Sequence, residues 1–464
     1  MESKERIKVA VVGSGMAGLA TAYLLRRDPR KRYKVVVFES GKSLSLDSAS
    51  VSVPNATRTA SDRVDLPMRA FAGGYYSNLK DMYDHLGVRY HAQPFLFEFA
   101  KALVGPEQRS RSSSYFIHAS NLHELPPPRP SGVSTLSHLA EVLYLVACYS
   151  WFSICCFLVA PREIEQTNFE RHAETLDQYT RRIWLPEYFL AYYLLPLMSG
   201  VTTCPHEALL KFPARDLIEY KRRTHGAPHY TVSNGVSTVQ DRLADGLEYK
   251  LCAAVSKVEP QESGIKISWV ETDGKDSHCE EVFDKVVLAV APDIVGRIFE
   301  PLQRHMARIP TALVESTVHT DRSMLGINRT LETSKPDDHL AQLICLQTTT
   351  DGQRQTESIH VQPCGAIVTT CPFSPIDSSL TVCSAKFTRV LRSPESRSIV
   401  NSIFGDTPYH PYENEKKRPL WRNGDDNVWL AGGWCWDGMV LLEGCVVSAT
   451  RIADAFGVDV PWRK

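Results

Sequence analysis

Residues 7–18 read IKVAVVGSGMAG, and residues 19–25 continue as LATAYLL. The opening apolar run is typical of a buried strand, and the apolar spacing after the glycines is typical of a helix. A second β-branched run, VVVF at residues 35–38, ends on Glu39, about twenty residues beyond the last glycine of the pattern. Strand, glycine turn, helix and second strand in this order predict a dinucleotide-binding unit.

Each glycine of the turn has its own physical role. Gly13 permits the tight turn after the strand, Gly15 lets the backbone approach a pyrophosphate, and Gly18 lets the helix pack closely on the strand. The helix N-terminus offers free N–H groups and a partial positive charge to the phosphates. The residues of this unit that we predict to bind the cofactor are Gly13, Ser14, Gly15, Met16, Ala17, Gly18, Glu39 and Ser40.

Glu39 decides which nucleotide fits. Its carboxylate stands at the carboxyl end of the second strand, where it can accept hydrogen bonds from both ribose hydroxyls. The same charge repels a 2′-phosphate, which argues against NADP. Residues 40–50, which follow, are rich in small hydroxyl side chains and either complete the phosphate or ribose site or form a plain surface loop.

Length and composition bound the remaining possibilities. A chain of 464 residues is too long for one compact core, which favours two interleaved domains. The net charge of -1 provides no overall basic field, so we expect no nucleic-acid partner. The twelve cysteines lack paired CxxC spacing, and we predict no metal site. Residues 1–6 lead straight into the first strand without a signal-peptide pattern, so we expect a cytoplasmic, reducing location.

An uncharged apolar stretch occupies residues 142–161. As a helix it would be about 30 Å long, enough to cross the apolar core of a bilayer. Three readings are open: a buried helix that roofs a lipid-sized pocket, a helix lying on a membrane face, and a true span. The aromatic stretch at residues 183–196 favours the buried helix over an apolar chamber, with peripheral membrane contact as the second reading.

Arg69 is a candidate functional residue because it lies among apolar residues and glycines, in PMRAF at residues 67–71. A guanidinium there would stabilise a reduced, anionic cofactor or fix an acidic group on the substrate. The alternative is a structural ion pair with Asp65 or another acid.

The remaining pattern predicts elements that alternate between helix and strand. Gly87 and Pro292 each mark the end of an element, as expected of a helix cap and a strand breaker. The predicted elements are a helix at 78–86, a helix at 238–246, a β-ribbon at 251–258 and 265–270, a buried strand at 286–291, a strand at 428–431, a Gly432-Gly433 turn with a loop at 434–438, and a helix from 441 through 453.

Together these motifs resemble the flavin-containing amine oxidase and phytoene desaturase superfamily. The resemblance rests on the N-terminal glycine unit, on VVLAVAP at residues 286–292, and on the C-terminal strand, double glycine, loop, Glu443-Gly444 and helix. A closer likeness, carried by residues 67–71 and by YTVSNG at 230–235, is to FAD/NAD-binding proteins related to amine oxidases, with a fungal character.

This resemblance implies the fold class and the cofactor. We expect an α/β protein in which a Rossmann-type FAD-binding domain, a doubly wound parallel sheet with a β-ribbon, is interleaved with an α+β substrate domain. The implied FAD-binding domain comprises residues 1–75, 225–300 and 420–464, and the implied substrate domain comprises residues 76–224 and 301–419.

Further site residues follow from the resemblance. Val255 would lie beside the adenine, and Gly433 would border the diphosphate or ribityl chain. Glu443 and Gly444 would place the last helix N-terminus at the flavin edge. The sequence departs from the family pattern at residues 45–49, where SLDSA replaces a Gly-Gly-Arg turn, and at Trp434, which replaces an acid.

The implied function is that of an FAD-dependent oxidoreductase of the amine oxidase type. It would take a hydride from an apolar small molecule to flavin N5, and O2 or another acceptor would reoxidise the flavin. The candidate catalytic residues are Arg69, Trp434 and Trp436, while Tyr188 and Tyr192 form either an aromatic wall with Trp436 or, the favoured reading, buried core. A redox-neutral isomerase and a non-catalytic FAD-bound scaffold are the alternatives.

Overall fold

A computed structural model describes the fold over most of the chain. The residues described are 6–54, 61–105, 108–120, 124–166, 170–272, 274, 277–325, 341–350, 352–405 and 421–463. The domain boundary predicted between residues 419 and 420 lies outside them, and the division into two domains stays a prediction.

The strands form one parallel sheet, one large mixed sheet and several small antiparallel sheets. In chain order they are β1 (Ile7–Val12), β2 (Tyr33–Phe38), β3 (Val51–Pro54), β4 (Ser61–Val64), β5 (Phe71–Ala72), β6 (Tyr90–Ala92), β7 (Phe95–Gly105), β8 (Gln108–Ala119), β9 (Glu163–Gln166), β10 (Glu170–Ala173), β11 (His229–Val232), β12 (Glu248–Lys250), β13 (Ala253–Gln261), β14 (Gly264–Glu271), β15 (His278–Phe283), β16 (Lys285–Leu288), β17 (Thr311–His319), β18 (Gln342–Thr349), β19 (Thr356–Val361), β20 (Ile367–Thr370), β21 (Thr381–Val390) and β22 (Val428–Leu430).

Most of the α-helices are short, and one long helix lies in the first half of the chain. They are α1 (Met16–Arg26), α2 (Ser77–Leu86), α3 (Thr135–Leu158), α4 (Leu176–Arg182), α5 (Glu187–Phe189), α6 (Leu195–Thr202), α7 (His206–Leu210), α8 (Ala214–Thr224), α9 (Ser237–Ala244), α10 (Pro292–Ile298), α11 (Gln303–Met306), α12 (Pro394–Ile403) and α13 (Leu442–Ala455). A π-helical turn, Leu190–Leu194, joins α5 to α6. The helices and strands predicted from the sequence are present, with bounds shifted by a few residues.

The parallel sheet has the strand order β12-β2-β1-β16-β22. Its central strand β1 is buried on both faces because its side chains alternate between two hydrophobic cores. Val9 and Val11 face a core shared with α1 and α13, whereas Ala10 and Val12 face a core shared with α10 and the antiparallel ribbon β13-β14-β15. Cover on both faces is what a parallel sheet requires. The predicted α/β fold class, with a doubly wound sheet and a β-ribbon, is confirmed.

The mixed sheet has the order β21-β17-β20-β19-β18-β7-β8 and is covered in part by α6. Its strands come from distant parts of the chain: β7 runs parallel to β18, with Phe97 opposite Ile344. The end of β21 reaches back towards the parallel sheet, since Leu391 donates its N–H to the Pro310 carbonyl and Arg392 reaches the loop after β22. The second sheet therefore contributes side chains to the edge of the first.

The long helix α3 corrects the prediction for residues 142–161. The helix begins earlier, where the Ser134 hydroxyl accepts a hydrogen bond from the Ser137 N–H, and it ends at Leu158. The predicted burial is wrong: only 22% of its most apolar stretch is buried. Among the described residues it is the one helix long and apolar enough to cross a membrane, judged by length and composition. Its apolar character reflects an exposed face rather than a core.

Glu357 on β19 is a buried carboxyl group through which the stability of the mixed sheet depends on pH. Its side chain is fully buried, and burial raises its pKa to about 7, although it accepts hydrogen bonds from the backbone of Phe373 and Ser374 at 3.1 and 3.3 Å. Because the pKa is higher in the folded than in the unfolded chain, the stability that this carboxyl contributes is present below about pH 4.5 and is lost as the pH rises through 7.

We therefore expect Glu357→Gln to be more stable than the wild type at pH 8, by up to about 3 kcal/mol, and this advantage to fade near pH 5. Urea unfolding at the two pH values measures the difference. Glu315→Gln on β17, where the side chain is 41% exposed, is the control and should show little pH-dependent gain. A constant difference between Glu357→Gln and wild type from pH 5 to 8 would contradict the assignment.

Candidate functional site

The turn between β1 and α1 needs two of its three glycines for the fold itself. Gly13 has a φ of 101°, and a Cβ there would lie 2.5 Å from the Ala289 carbonyl oxygen. A Cβ at Gly18 would lie 2.0 Å from the Gly13 carbonyl oxygen. Neither contact is tolerable, so these two glycines set the close approach of α1 to β1 and to the end of β16.

Gly15 differs, because the protein itself does not require a glycine there. It precedes α1 with a φ of -70°, which any residue adopts, and a Cβ would come no nearer than 3.8 Å to the Ser45 hydroxyl. No side chain among the described residues caps the N-terminus of α1. Open space beside uncapped N–H groups is what a bound phosphate uses.

Glu39 is buried at the carboxyl end of β2 and organises the neighbouring loops. One carboxylate oxygen accepts hydrogen bonds from the Ser14 hydroxyl and the Ser14 N–H, the latter at 3.2 Å. The other accepts from the Gly41 N–H at 2.8 Å and the Ser40 hydroxyl at 3.3 Å. The two serine hydroxyls can rotate away, so the carboxylate retains acceptor positions for ribose hydroxyls.

The ribbon strand β13 is fixed to the same loop. The Ala253 N–H donates to the Glu39 carbonyl at 2.8 Å. Val255 lies two residues further along, opposite Trp269, where the register of the ribbon shifts. Val255 is thus two residues along β13 from the residue that bonds Glu39, and its role beside an adenine stays a prediction.

The segment that replaces the family's Gly-Gly-Arg turn is held by two arginines from later in the chain. Arg63 on β4 forms an ion pair with Asp47, and Arg69 donates from Nη2 to the Leu46 carbonyl at 3.1 Å. The Ser45 N–H donates to the Ser14 hydroxyl at 2.8 Å. Guanidinium groups therefore border the nucleotide turn even though the local motif lacks an arginine.

Arg69 does not form the ion pair that was its structural alternative. Within the described residues no ion pair joins it to Asp65, whose two oxygens accept from the Val236 N–H at 3.0 Å. The Arg69 Nε is buried without a hydrogen-bond partner. Burial also lowers the Arg69 pKa, yet the side chain keeps accessible surface.

Cys445, in the first turn of α13, marks where the two halves of the site meet. Burial raises the pKa of its thiol to about 11, while Arg69, Arg389 and the backbone amides of Gly433 and Ala17 act to lower it. The thiol is therefore neutral near pH 7, and its sulfur lies against the turn after β22, where a Cβ at Gly433 would come within 3.4 Å of it.

The C-terminal glycines are explained by close backbone packing. A Cβ at Gly433 would lie 2.9 Å from the Leu441 carbonyl oxygen, and one at Gly444 would lie 2.5 Å from the Gly433 carbonyl oxygen. The turn after β22 therefore abuts the start of α13, which no side chain caps among the described residues. A second helix N-terminus consequently opens towards the same region as that of α1.

Glu443 has a partner that the sequence did not indicate. Its carboxylate accepts hydrogen bonds from the Asn78 N–H at 3.0 Å, from the Asn78 side-chain amide at 2.6 Å and from the Leu79 N–H at 3.0 Å. It therefore caps α2, and burial raises its pKa. Its predicted placement of α13 at a flavin edge is not tested, but its carboxylate is directed to α2.

The two candidate tryptophans lie in different surroundings. Trp434 is buried in the core beneath the parallel sheet, and its indole N–H donates to the Val290 carbonyl at 3.2 Å, so we interpret it as structural. Trp436 is half-buried over Gly444 and meets Tyr75 edge-on, with ring centroids 5.9 Å apart. Its prediction as a catalytic residue stays open.

Tyr188 and Tyr192 lie in a different aromatic group from Trp436. The Tyr188 hydroxyl donates to Glu141 on α3 at 3.1 Å, and Lys101 lies 4.6 Å from the centre of the Tyr192 ring. The three-residue wall, the alternative to the favoured reading of buried core, is therefore not assembled among the described contacts, and all three side chains pack partly buried against the main core.

A buried ion network that sequence reasoning missed holds the C-terminal loop. Arg392 donates from Nη2 to the carbonyls of Trp436 and Gly438, both at 2.9 Å. Arg397 binds Asp437 through two hydrogen bonds of 2.6 and 2.8 Å. Both arginines follow β21, far from the loop in sequence, so no local motif could have indicated their role.

Arg389 is the second missed residue. Its Nε donates to the Thr202 carbonyl at 2.8 Å, at the end of α6. Its charge lowers the pKa values of Arg69, Tyr76 and Cys445, so it lies within electrostatic reach of these three residues. Nothing in the alternating sequence of β21 distinguishes Arg389 from a surface arginine.

Two family models match the chain. Residues 11–86 match the NAD(P)-binding Rossmann-like domain, and residues 147–456, more than half of the chain, match the flavin containing amine oxidoreductase model. No curated protein sequence matches it significantly.

Solved structures share the fold. A CLA-producing fatty acid isomerase from P. acnes is 11% identical, with 97% of this chain and 99% of that chain covered and a TM-score of 0.59. An oxidoreductase from Methanosarcina mazei is also 11% identical, with 97% and 100% covered and a TM-score of 0.54. These likenesses concern the fold, and the family matches confirm the resemblance inferred from the sequence.

The different reasons for Gly15 and Gly18 give a paired prediction. We expect Gly15→Ala to leave the stability of the flavin-free protein within about 1 kcal/mol of wild type, because the Cβ meets only open space. The same Cβ should greatly weaken FAD binding. Gly18→Ala, the matched control, should destabilise the fold by more than about 3 kcal/mol, because its Cβ would meet the Gly13 carbonyl.

Thermal unfolding of deflavinated protein and fluorescence titration with FAD separate the two effects. A Gly15→Ala protein that retains a full complement of flavin would show that the diphosphate lies elsewhere. Glu39→Ala should weaken FAD binding by about 1.5–3 kcal/mol without abolishing it, the contribution of charged hydrogen bonds.

Proposed function

This chain belongs to the flavin containing amine oxidoreductase family and is an FAD-dependent oxidoreductase, and we propose that it takes a hydride from an apolar small molecule. When bound, FAD supplies the hydride acceptor at flavin N5. The observation that carries the proposal is the uncapped N-terminus of α1 at Gly15 beside the buried carboxylate of Glu39 at the end of β2. Together these groups suit the diphosphate and the ribose of a dinucleotide.

We assign the parts of the nucleotide to the residues that could hold them. The uncapped start of α1 at Gly15 would bind the diphosphate, and Glu39 would accept hydrogen bonds from the adenosine ribose. Val255 would pack beside the adenine. Gly433 and the N-terminus of α13 would border the ribityl chain and the flavin, where a helix dipole stabilises negative charge.

The substrate side combines apolar walls with two cations. Tyr75 and Tyr76 are buried, and burial raises the pKa of both phenols, so they stay neutral and exclude water. Arg69 and Arg389 would stabilise negative charge that develops during hydride transfer, or orient an acidic group on the substrate. These residues would therefore bind and orient the substrate and exclude solvent, while the redox chemistry belongs to the cofactor. O2 or another acceptor would take the electrons.

A redox-neutral isomerase is the second candidate, because the P. acnes structure of the same fold is a fatty acid isomerase. Such an enzyme would use the same apolar site and return the hydride to the substrate. A non-catalytic FAD-bound scaffold is the third reading, since retained binding glycines fit it equally well. A cytoplasmic location is part of the proposal.

Anaerobic reduction distinguishes these functions. Purified yellow protein is incubated with an extract of lipids and metabolites, and the retained compounds are identified by mass spectrometry and then tested singly. Bleaching of the flavin band with oxidised product supports the oxidoreductase. A rearranged product with no net redox change indicates the isomerase. No bleaching and no turnover with any retained compound, together with resistance to photoreduction, would overturn an enzymatic role.

Arg69→Lys tests the role of the guanidinium. The substitution keeps a positive charge but loses the planar fork of donors. Arg69 forms no ion pair among the described residues, and a lysine ammonium can keep its hydrogen bond to the Leu46 carbonyl, so we expect little change in thermal stability and a fall in kcat of at least about tenfold. Stopped-flow reduction of the flavin measures the step, and kcat and KM are determined separately.

Arg32→Lys is the matched control, because Arg32 pairs with Asp28 through two hydrogen bonds and donates to the Gly457 carbonyl. It lies just before β2, at the opposite end of that strand from Glu39. It should keep full turnover. Full turnover in Arg69→Lys together with lower thermal stability would show that Arg69 is structural.

A further inference from the structure

The helix α3 exposes an apolar stripe along its whole length, in which the exposed Ser150 is the polar position between Val146 and Ile154. The stripe follows the three- and four-residue spacing of one helix face and contains no charged side chain. Its large members, each at least half exposed, are Leu136, Leu139, Leu143, Val146, Ile154 and Leu158. At 24 residues the helix is about 36 Å long. Single exposed leucines are common on protein surfaces, whereas an apolar patch of this length marks an interaction site.

The opposite face of α3 is fixed to the fold. Cys148, Phe152 and Cys156 are buried in the main core. The indole N–H of Trp151 donates to the Ile183 carbonyl at 2.7 Å. These contacts forbid the helix from crossing a bilayer without unfolding its surroundings, so only the stripe is available to another partner.

Aromatic side chains border the stripe. Trp184 is 86% exposed and follows Ile183, the residue that binds Trp151. Trp151 is itself 47% exposed. Tryptophans with one apolar and one polar edge are enriched at the level of lipid headgroups.

Cationic side chains border the stripe near its C-terminal half. Lys221 donates to the Tyr149 hydroxyl at 2.8 Å, and Arg222 donates to the Cys156 carbonyl. Both cations are bound to neutral oxygens rather than to carboxylates in these contacts, so their charge is not neutralised there. Arg162, just beyond the end of α3, is exposed.

The acidic side chains on α3 and on the neighbouring helices are engaged. Glu141, in the N-terminal half of α3, accepts hydrogen bonds from the Tyr188 and Tyr193 hydroxyls. Asp177 pairs with Arg181 at 3.0 Å, and Glu219 pairs with Arg223 at 2.6 Å. The border near the C-terminal half of the stripe therefore keeps an excess of positive charge.

We infer that this surface, the α3 stripe with its aromatic and cationic border, docks on a lipid bilayer that carries anionic headgroups. The helix lies in the plane of the interface with its stripe among the upper acyl chains. The basic border meets anionic headgroups, and Trp151 and Trp184 lie at headgroup level. A second copy of the chain fits less well, because a symmetric pairing of stripes would bring two positive borders together.

Vesicle sedimentation tests the inference with the flavin-loaded full chain. The probes are vesicles of phosphatidylcholine alone and of phosphatidylcholine with phosphatidylserine. We expect strong pelleting with the anionic vesicles, weaker pelleting with neutral vesicles, and release by mild detergent. Pelleting should weaken as salt rises, because headgroup attraction is screened.

Leu143→Glu/Ile154→Glu places two charges on the stripe, and we expect vesicle affinity to fall at least about tenfold. Leu313→Glu on β17, also a change from an exposed leucine to a charge, is the control and should bind like wild type. Arg162→Gln/Lys221→Gln should lose the preference for anionic vesicles while keeping neutral binding. Retained flavin and an unchanged melting temperature establish that each variant is folded.

Three results would overturn the inference. One is a wild type that pellets with neither kind of vesicle. Another is a wild-type dimer by light scattering that the double glutamate variant converts to monomer without any vesicle binding, which would assign the stripe to a second copy. The third is membrane attachment that resists alkaline washing, which would indicate a span.

Discussion

The structure depends on the close approach of two helix N-termini at one edge of the parallel sheet. Gly18 lets α1 touch the backbone of the preceding turn, and Gly444 lets α13 touch the turn after β22. Both helices begin without a side-chain cap among the described residues. Two sets of N–H groups without helical partners and two positive dipole ends therefore lie close together. Holding them together costs free energy, and a bound anion would offset that cost.

The carboxylates around this edge serve other partners. Glu443 caps α2, Asp65 binds the Val236 N–H, and Asp437 is held by Arg397. Because these acids are engaged, none of them forms an ion pair with Arg69 or Arg389 among the described residues, although Asp65 lies close enough to raise the pKa of Arg69. The surrounding fold thus keeps the site positive, and it does so with residues whose own hydrogen bonds are satisfied. A diphosphate with a reducible ring is the kind of ligand that such a site stabilises.

Sequence reasoning succeeded where a role depends on neighbours in the chain. The turn at Gly13, the strand β1 and the helix α1 follow from local spacing, and the superfamily from motifs that keep that spacing. It failed for Arg389 and Arg392, which reach the site only because β21 returns to the parallel sheet. It also misjudged α3, because hydrophobic residues all round a helix indicate an apolar environment without saying whether protein or lipid provides it.

A series of neighbouring elements links the exposed stripe of α3 to Arg389 at the candidate site. Glu141 on α3 accepts hydrogen bonds from the Tyr188 and Tyr193 hydroxyls. Tyr188 lies in α5, and Tyr193 lies in the π-helical turn that leads into α6. The last residue of α6, Thr202, holds Arg389. An apolar substrate concentrates in lipid rather than in water. A docked α3 would therefore place the enzyme where its proposed substrate is most abundant, with one short series of packed elements between bilayer and site.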